Sequence, residues 1–284
     1  MESIYINQIN KKIFKNYLIP NEYEITNSKE LIDNINNIDL ILIKEINKTS
    51  LTQPKQINSK IREFYKKSEL IDFINSYKTW CEPGISVDFN NSKIYLRCKT
   101  LSKSDLLIKA CGKKKPDHII DATAGLGTDS FILSTAFIDT KISLIEENDI
   151  ISTILQDGIK HGLENSSYPE TQKTCKKMEL HNGNAINIIP KLEPADIIYL
   201  DPMFADNSFK GAVKKPMQIL HKICPPPSNN QINELLEMAL KNAKNRVIVK
   251  RAKSACVINL NNSIKPNHQI SGKSIRYDIY LKKS

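Results

Sequence analysis

Four consecutive residues, Asp201-Pro202-Met203-Phe204, follow directly on the apolar run Ile197-Ile198-Tyr199-Leu200. A strand ending this way sets three tools at one point: a carboxylate acceptor, a proline carbonyl whose φ is fixed by the ring, and a flat aromatic face. That set suits an exocyclic amino group on a flat base. Asp201 and the Pro202 carbonyl take the amino hydrogens while Phe204 stacks on the base. The same residues also read as a strand followed by a turn, because Asp-Pro is common in turns.

A second group, Asp121-Ala122-Thr123-Ala124-Gly125-Leu126-Gly127, stands where one strand turns into a helix opened by Thr128 and Asp129. Gly125 and Gly127 let the backbone turn tightly and approach a ligand, which a Cβ would impede. About twenty residues on, Ile142-Ser143-Leu144-Ile145 ends in Glu146-Glu147, where an acid can accept hydrogen bonds from ribose hydroxyls. A further strand ends in Asn182-Gly183-Asn184, with polar side chains and bare backbone for an adenine edge. His181, beside it, reads as a half-buried structural histidine. A dinucleotide site wants a third glycine and a helix start free for pyrophosphate. Here that position is Ser130, and Asp129 would repel phosphate. S-adenosylmethionine carries no phosphate, and its cationic sulfonium and amino groups favour acids. Asp121, Asp129, Glu146 and Asp201 supply them at successive strand ends.

The elements that must position these residues are regular from about residue 104. Ser104 caps a helix to Ala110, stopped by Cys111-Gly112. Strands are expected at 119–120, 142–145, 178–181, 197–200, 247–249 and 275–281, with helices over 129–137, 149–161, 185–189, 212–223 and 231–244. This alternation predicts an α/β, Rossmann-like, mostly parallel doubly wound sheet, with the final strand inserted antiparallel near one edge. Residues 1–103 are expected to form a smaller α+β domain, with a helix over 59–77 and a hairpin joining 85–89 to 94–98. Residues 104–284 are expected to form the larger domain.

Charge adds a partner class. Residues 1–200 hold 26 Lys and Arg against 26 Asp and Glu, whereas residues 201–284 hold 15 against 5. The net charge of +10 therefore lies wholly downstream of the candidate amine clamp, which points to a polyanionic substrate. Lys214, Lys215, Lys250, Arg251 and Lys253 are candidate phosphate contacts. The six cysteines include no C-x-x-C pair, so neither a zinc site nor a disulfide framework is expected and no metal is called for. No apolar run reaches the ~18 residues of a membrane span, and the first residues lack a signal-peptide plan. A cytoplasmic protein without membrane contact is the expectation.

In order along the chain stand D-A-T-A-G-L-G-x-D at 121–129, the acid Glu146, Y-L-D-P-M-F at 199–204, V-K-K-x-M at 213–217, V-x-V-K-R at 247–251 and R-Y-D-I-Y at 276–280. Over about residues 84–284 the sequence resembles the RsmJ family, bacterial 16S rRNA guanine-N2 methyltransferases that modify a guanine near the 3′ end of the small-subunit RNA. The resemblance implies a class I methyltransferase fold with a seven-stranded sheet. It implies that S-adenosylmethionine is bound by Thr128 and Asp129, Glu146 and Glu147, Gly183 and Asn184, and Asp201. Its implied partner is 16S rRNA or the small ribosomal subunit. Thr128 and Glu147 stand where the family usually has arginine. Two other functions share the motifs: DNA adenine-N6 methylation, which uses the same kind of amine clamp, and noncatalytic RNA binding on a methyltransferase scaffold.

Overall fold

The computed structural model describes residues 3–8, 38–45, 48–52, 85–101, 104–202, 224, 226–260 and 263–282. The chain forms two compact units, Met1–Val87 with Gly211–Cys224, and Asp88–Lys210 with Pro225–Ser284. In the first, strands β1 (Ser3–Gln8), β2 (Ile38–Glu45) and β3 (Lys48–Thr52) form an antiparallel sheet in the order β1-β2-β3. The expected helices over 59–77 and 212–223 lie outside the described residues.

The second unit opens with helices α1 (Ser92–Lys99) and α2 (Leu106–Cys111). Then come β4 (His118–Asp121), α3 (Thr128–Ala136), β5 (Lys141–Glu146), α4 (Asp149–Glu164), α5 (Pro169–Cys175), β6 (Met178–Asn182), α6 (Ala185–Ile188) and β7 (Ile197–Leu200). Helix α7 (Asn229–Asn242) and strands β8 (Arg246–Ala252), β9 (His268–Ser271) and β10 (Ile275–Leu281) complete it. Among the described residues the sheet has seven strands in the order β6-β5-β4-β7-β8-β10-β9. Strands β4 to β8 pair in parallel, and β10 is inserted antiparallel between β8 and β9. This is the expected Rossmann-like class I methyltransferase sheet. Its strand order reverses between β4 and β7, so the crevice at a topological switch point opens beyond Asp121 and Leu200.

The central strands β4 and β7 are buried along their whole length, HIID with an apolar centre between His118 and Asp121 and IIYL apolar throughout, as strands covered by helices on both faces require. One core gathers Ile120, Ile145, Ile198, Leu200, Val247 and Val249 beneath Leu236 and Ala239 of α7. The alternate residues Ile119, Leu144, Tyr199 and Ile248 point to the opposite face, and α3 and α4 pack on β5 and β6.

Two expectations are corrected. Residues 92–99 form α1 instead of the second arm of a hairpin. Asn91, read as part of a turn, caps the helix: its Oδ1 accepts from Lys93 N at 2.9 Å. Ile94 and Cys98, alternate residues of the supposed strand, are equally i,i+4 neighbours on one helix face. Helix α2 is capped by Asp105, whose carboxylate accepts from Leu107 N at 2.9 Å, and not by Ser104. Helix α5 and strand β9 were not anticipated. Pro-Glu-Thr-Gln-Lys-Thr-Cys has no apolar stripe, and His-Gln-Ile-Ser is a polar edge strand.

The closing R-Y-D-I-Y motif has a structural role. Arg276 Nε donates to Asp278 Oδ1 at 2.8 Å and Nη2 to Oδ2 at 3.1 Å, a buried fork that Gln269 joins at 2.7 Å. Arg276 Nη1 reaches the carbonyls of Lys253 and Ala255 at 2.9 and 2.6 Å, so β10 fixes the loop leaving β8. Replacing Asp278 by alanine strands a buried guanidinium. Urea denaturation should register a loss of about 3–5 kcal/mol; a loss within experimental error would mean the pair is dispensable.

Candidate active site

The first ligand-facing segment is the turn between β4 and α3, which is bonded to both neighbouring strands. Ala122 N donates to Tyr199 O and Ala124 N to Ile145 O, each at 2.9 Å. Asp121 lies beneath it, 1% exposed, accepting from Thr123 N at 3.1 Å and from the Ser130 hydroxyl. Gly125 (φ 54°) and Gly127 (φ 71°) occupy the left-handed region. A Cβ on Gly127 would lie 2.6 Å from Leu155 Cδ1, so that glycine serves packing as well as the turn. A Cβ on Gly125 would meet nothing within 4 Å, which leaves the cradle open on the ligand side.

Glu146 ends β5 and faces the same cradle. Its Oε2 accepts from Gly125 N and its Oε1 from Asn148 N, both at 2.8 Å. Burial raises its pKa, partly offset by these two N–H donors. Each carboxylate oxygen keeps a second lone pair, suited to a ribose diol. The Glu146 carbonyl accepts from Gly183 N at 2.9 Å and from Asn182 Nδ2 at 3.2 Å, drawing the β6 turn alongside. Gly183 takes φ 137°, and Asn184 caps α6 through Ile186 N while donating to Glu147 Oε1 at 3.0 Å. Glu146, Glu147, Gly183 and Asn184 are thus brought together, with Glu147 on the exposed side.

The third part is an ionic cluster at the switch point. Lys250 Nζ donates to Asp129 Oδ2 at 2.7 Å and to Asp201 Oδ2 at 2.8 Å. Tyr199 OH, buried on β7, donates to Asp129 Oδ2 at 2.7 Å, and Arg97 Nη1 stands 3.8 Å from Asp129 Oδ1. The Asp201 backbone N–H donates to Thr123 Oγ1 at 2.6 Å, joining the end of β7 to the glycine turn. Burial raises the pKa of Asp201, and Asp129 raises it further, against the pull of Lys250. At Asp129 burial also opposes ionisation, but Lys250, Tyr199 and Arg97 outweigh it and the pKa is lowered. Lys250 is held firmly charged: burial disfavours the ammonium, and the two carboxylates more than compensate.

Several sequence-based assignments change. Asp121 lies buried under the turn, its carboxylate accepting from Thr123 N and the Ser130 hydroxyl. Lys250 was expected at RNA phosphates; it is occupied by Asp129 and Asp201 because Leu200 pairs with Val249, which sets Lys250 beside Asp201. Arg251 donates to Cys256 O at 3.0 Å in the following loop. Thr128 is exposed at the start of α3, and Pro202 is buried. Met203, Phe204, Lys214 and Lys215 lie outside the described residues. His181 Nε2 stands 3.6 Å from Glu179 Oε1. The sequence reading missed Thr123, Ser130, Tyr199 and Arg97. Strand register alone would have flagged Lys250 and Tyr199, while Arg97 was hidden by the hairpin expectation.

Comparison with known proteins places this geometry. A family model described as "Putative SAM-dependent methyltransferase" matches residues 48–282. Ribosomal RNA small subunit methyltransferase J of Neisseria gonorrhoeae (strain NCCP11945) is 35% identical over 202 residues, 70% of this chain and 76% of that protein. The protein of that name from Buchnera aphidicola subsp. Schizaphis graminum is 39% identical over 203 residues, 70% of this chain and 78% of that one. The crystal structure of a SAM-dependent methyltransferase from Neisseria gonorrhoeae superposes with a TM-score of 0.58 at 29% identity, covering 85% of this chain and 82% of that one.

The buried acid under the turn has a measurable consequence. Burial pushes Asp121 up to about 7 from 3.8, despite Ser130 and Thr123, with Asp129 and Asp201 adding to the rise. Between those values the folded protein holds a proton that the unfolded chain has released, so stability falls as pH rises through the window. Asp201 and Glu146, also raised, act in the same direction, and Asp129 opposes them. Asp121→Asn should make the fall shallower when urea unfolding is compared at about pH 5 and about pH 7.5. An unchanged pH dependence would show that Asp121 is ionised in the fold.

Proposed function

The chain belongs to the ribosomal RNA small subunit methyltransferase J family of SAM-dependent methyltransferases, and on that premise we propose that it methylates the exocyclic N2 of a guanine near the 3′ end of 16S rRNA. The observation that carries this reading is the Asp201 carboxylate at the switch point, one oxygen held by Lys250 and the backbone N–H held by Thr123. It heads the third of the chain that carries the whole positive excess, suited to a polyanion.

The residues fit S-adenosylmethionine. The open cradle at Gly125, the Glu146 carboxylate and the absence of lysine or arginine from the 121–129 turn suit an uncharged ribose better than a phosphate. Glu146 would hold the ribose, Gly183 and Asn184 would border the adenine, and Asp129 and Asp201 would face the cationic end. When bound, the cofactor supplies an electrophilic methyl group on a positively charged sulfur.

The chain's own contribution is positioning. A guanine N2 is a poor nucleophile because its lone pair is delocalised into the ring. Asp201 Oδ1 and the Pro202 carbonyl accept its two hydrogens, which orients the lone pair toward the methyl carbon. Phe204 stacks on the flipped base. No strong general base is required, since the alkylated nitrogen is cationic and gives up its proton readily to water. Lys214 and Lys215 are assigned to the RNA backbone from their place in the basic segment.

The test supplies tritiated S-adenosylmethionine with either small ribosomal subunits or duplex DNA. Label should enter the rRNA and be lost by about 100-fold or more in Asp201→Ala, with the melting temperature little changed. Preferential labelling of DNA would favour adenine N6 as the acceptor, and near-normal labelling by Asp201→Ala would remove the carboxylate from the mechanism.

A further inference from the structure

The lysine in the acid cluster is placed to do more than balance charge. Lys250 comes from β8, whose parallel pairing with β7 sets it beside Asp201, while the antiparallel β10 places Tyr277 opposite. Its ammonium spans the Oδ2 atoms of Asp129 and Asp201 at 2.7 and 2.8 Å. Asp129 is itself fixed, because it stands in the first turn of α3 and receives the Tyr199 hydroxyl from β7. The ion pair therefore ties the carboxylate of Asp201, just past the end of β7, to a point held by a helix and two strands.

We propose that Lys250 is a positioning residue for methyl transfer: it holds Asp201 Oδ2 against the Asp129 anchor so that Oδ1 is presented, ionised, to the acceptor amine. This rests on the assignment of Asp201 as the amine acceptor. Asp201 can accept from Lys250 through Oδ2 and from the amine through Oδ1 at once only when ionised, because a protonated carboxyl carries an O–H donor on one of its oxygens. A rotating or protonated Asp201 would fail on either count. Lysine suits the task because its compact ammonium can donate to two separate carboxylates from a tetrahedral head.

The charged and titratable groups around Asp201 define what its loss would do. Asp129 of α3 is a like charge, whereas Asp121 of β4 is buried and pushed up to about 7; Tyr199 of β7 and Tyr277 of β10 are held neutral well above their usual range. Arg97 of α1 stands 3.8 Å from Asp129 and 3.6 Å from Asp105. Lys250 is thus the cation in direct contact with Asp201 among the described residues. Removing it leaves a partly buried acid beside another acid, and protonation of Asp201 moves to higher pH.

The experiment compares wild type with Lys250→Met, Lys250→Gln and Lys250→Arg, using initial rates of methyl transfer across pH and melting temperature as the check of folding. Lys250→Met should lower kcat by about tenfold or more and shift the acid limb of the kcat/KM profile up by about one pH unit. Lys250→Arg should restore the profile and part of kcat. If Lys250→Met does not fold, Lys250→Gln, equally neutral, is judged by the same two readouts. Wild-type kcat with an unshifted limb in the neutral variant would overturn the proposal. So would a change confined to RNA affinity with the salt slope reduced by about one, the signature of a phosphate contact. A wild-type protein that makes no N2-methylguanine defeats the functional reading, whereas an active wild type with indifferent Lys250 variants defeats only this inference.

Discussion

Carboxylates crowded into a partly dry crevice cannot all carry charge unless a cation is built in beside them, and that requirement organises the site. Asp121, Asp129 and Asp201 lie within one another's field at the edge of the sheet, each penalised by burial. The fold answers the same problem in different ways. Asp121 is turned into the core, where its ordinary acidity is suppressed and two donors satisfy its oxygens. Asp129 gains a lysine, a tyrosine hydroxyl and a nearby guanidinium, and becomes more acidic than usual. Asp201 shares the lysine but stays harder to ionise. Three residues of one type thus acquire three different surroundings: a buried carboxyl under the turn, an acid held by a lysine and a tyrosine, and a partly exposed acid that shares the lysine.

The sheet makes this sharing possible. Because the strand order reverses between β4 and β7, the glycine turn and Asp201 just past β7 open onto one crevice. The Asp201 N–H donates to Thr123 Oγ1, so the glycine turn and the end of β7 keep a common frame. The antiparallel return of β10 then braces β8. Its Arg276–Asp278 fork pins the loop that follows Lys250 and Arg251. The last strand therefore braces the strand that carries Lys250, whose ammonium contacts Asp201 49 residues earlier in the chain.

Much of this was legible in the sequence, and the reasons are local. The short, mostly apolar runs at 119–120, 142–145, 197–200 and 247–249 alternate with amphipathic helical stretches, the pattern of strands in a sheet covered on both faces. Gly125, Gly127 and Glu146 announced themselves by spacing. What escaped were features decided by register and by competing local signals. Ile94, Leu96 and Cys98 alternate like a strand, yet Asn91 caps a helix and brings Arg97 toward Asp129. Lys250 looked like one more cation in a basic segment. Only the pairing of Leu200 with Val249 turns it inward to Asp201. Asp121 carries the same letter as Asp129 and Asp201, but lies on the core side of the turn.

The family assignment fixes methyl transfer from S-adenosylmethionine as the chemistry; the acceptor atom is where the physical argument is most exposed. Nucleoside mass spectrometry of small-subunit RNA, with and without the gene in its own cells, addresses it most directly. One N2-methylguanosine near the 3′ end should vanish on deletion and return with the intact gene. A modification pattern identical in the two strains, or loss of a methyl group from a different base or atom, would contradict the assignment of Asp201 and Pro202 to a guanine amine.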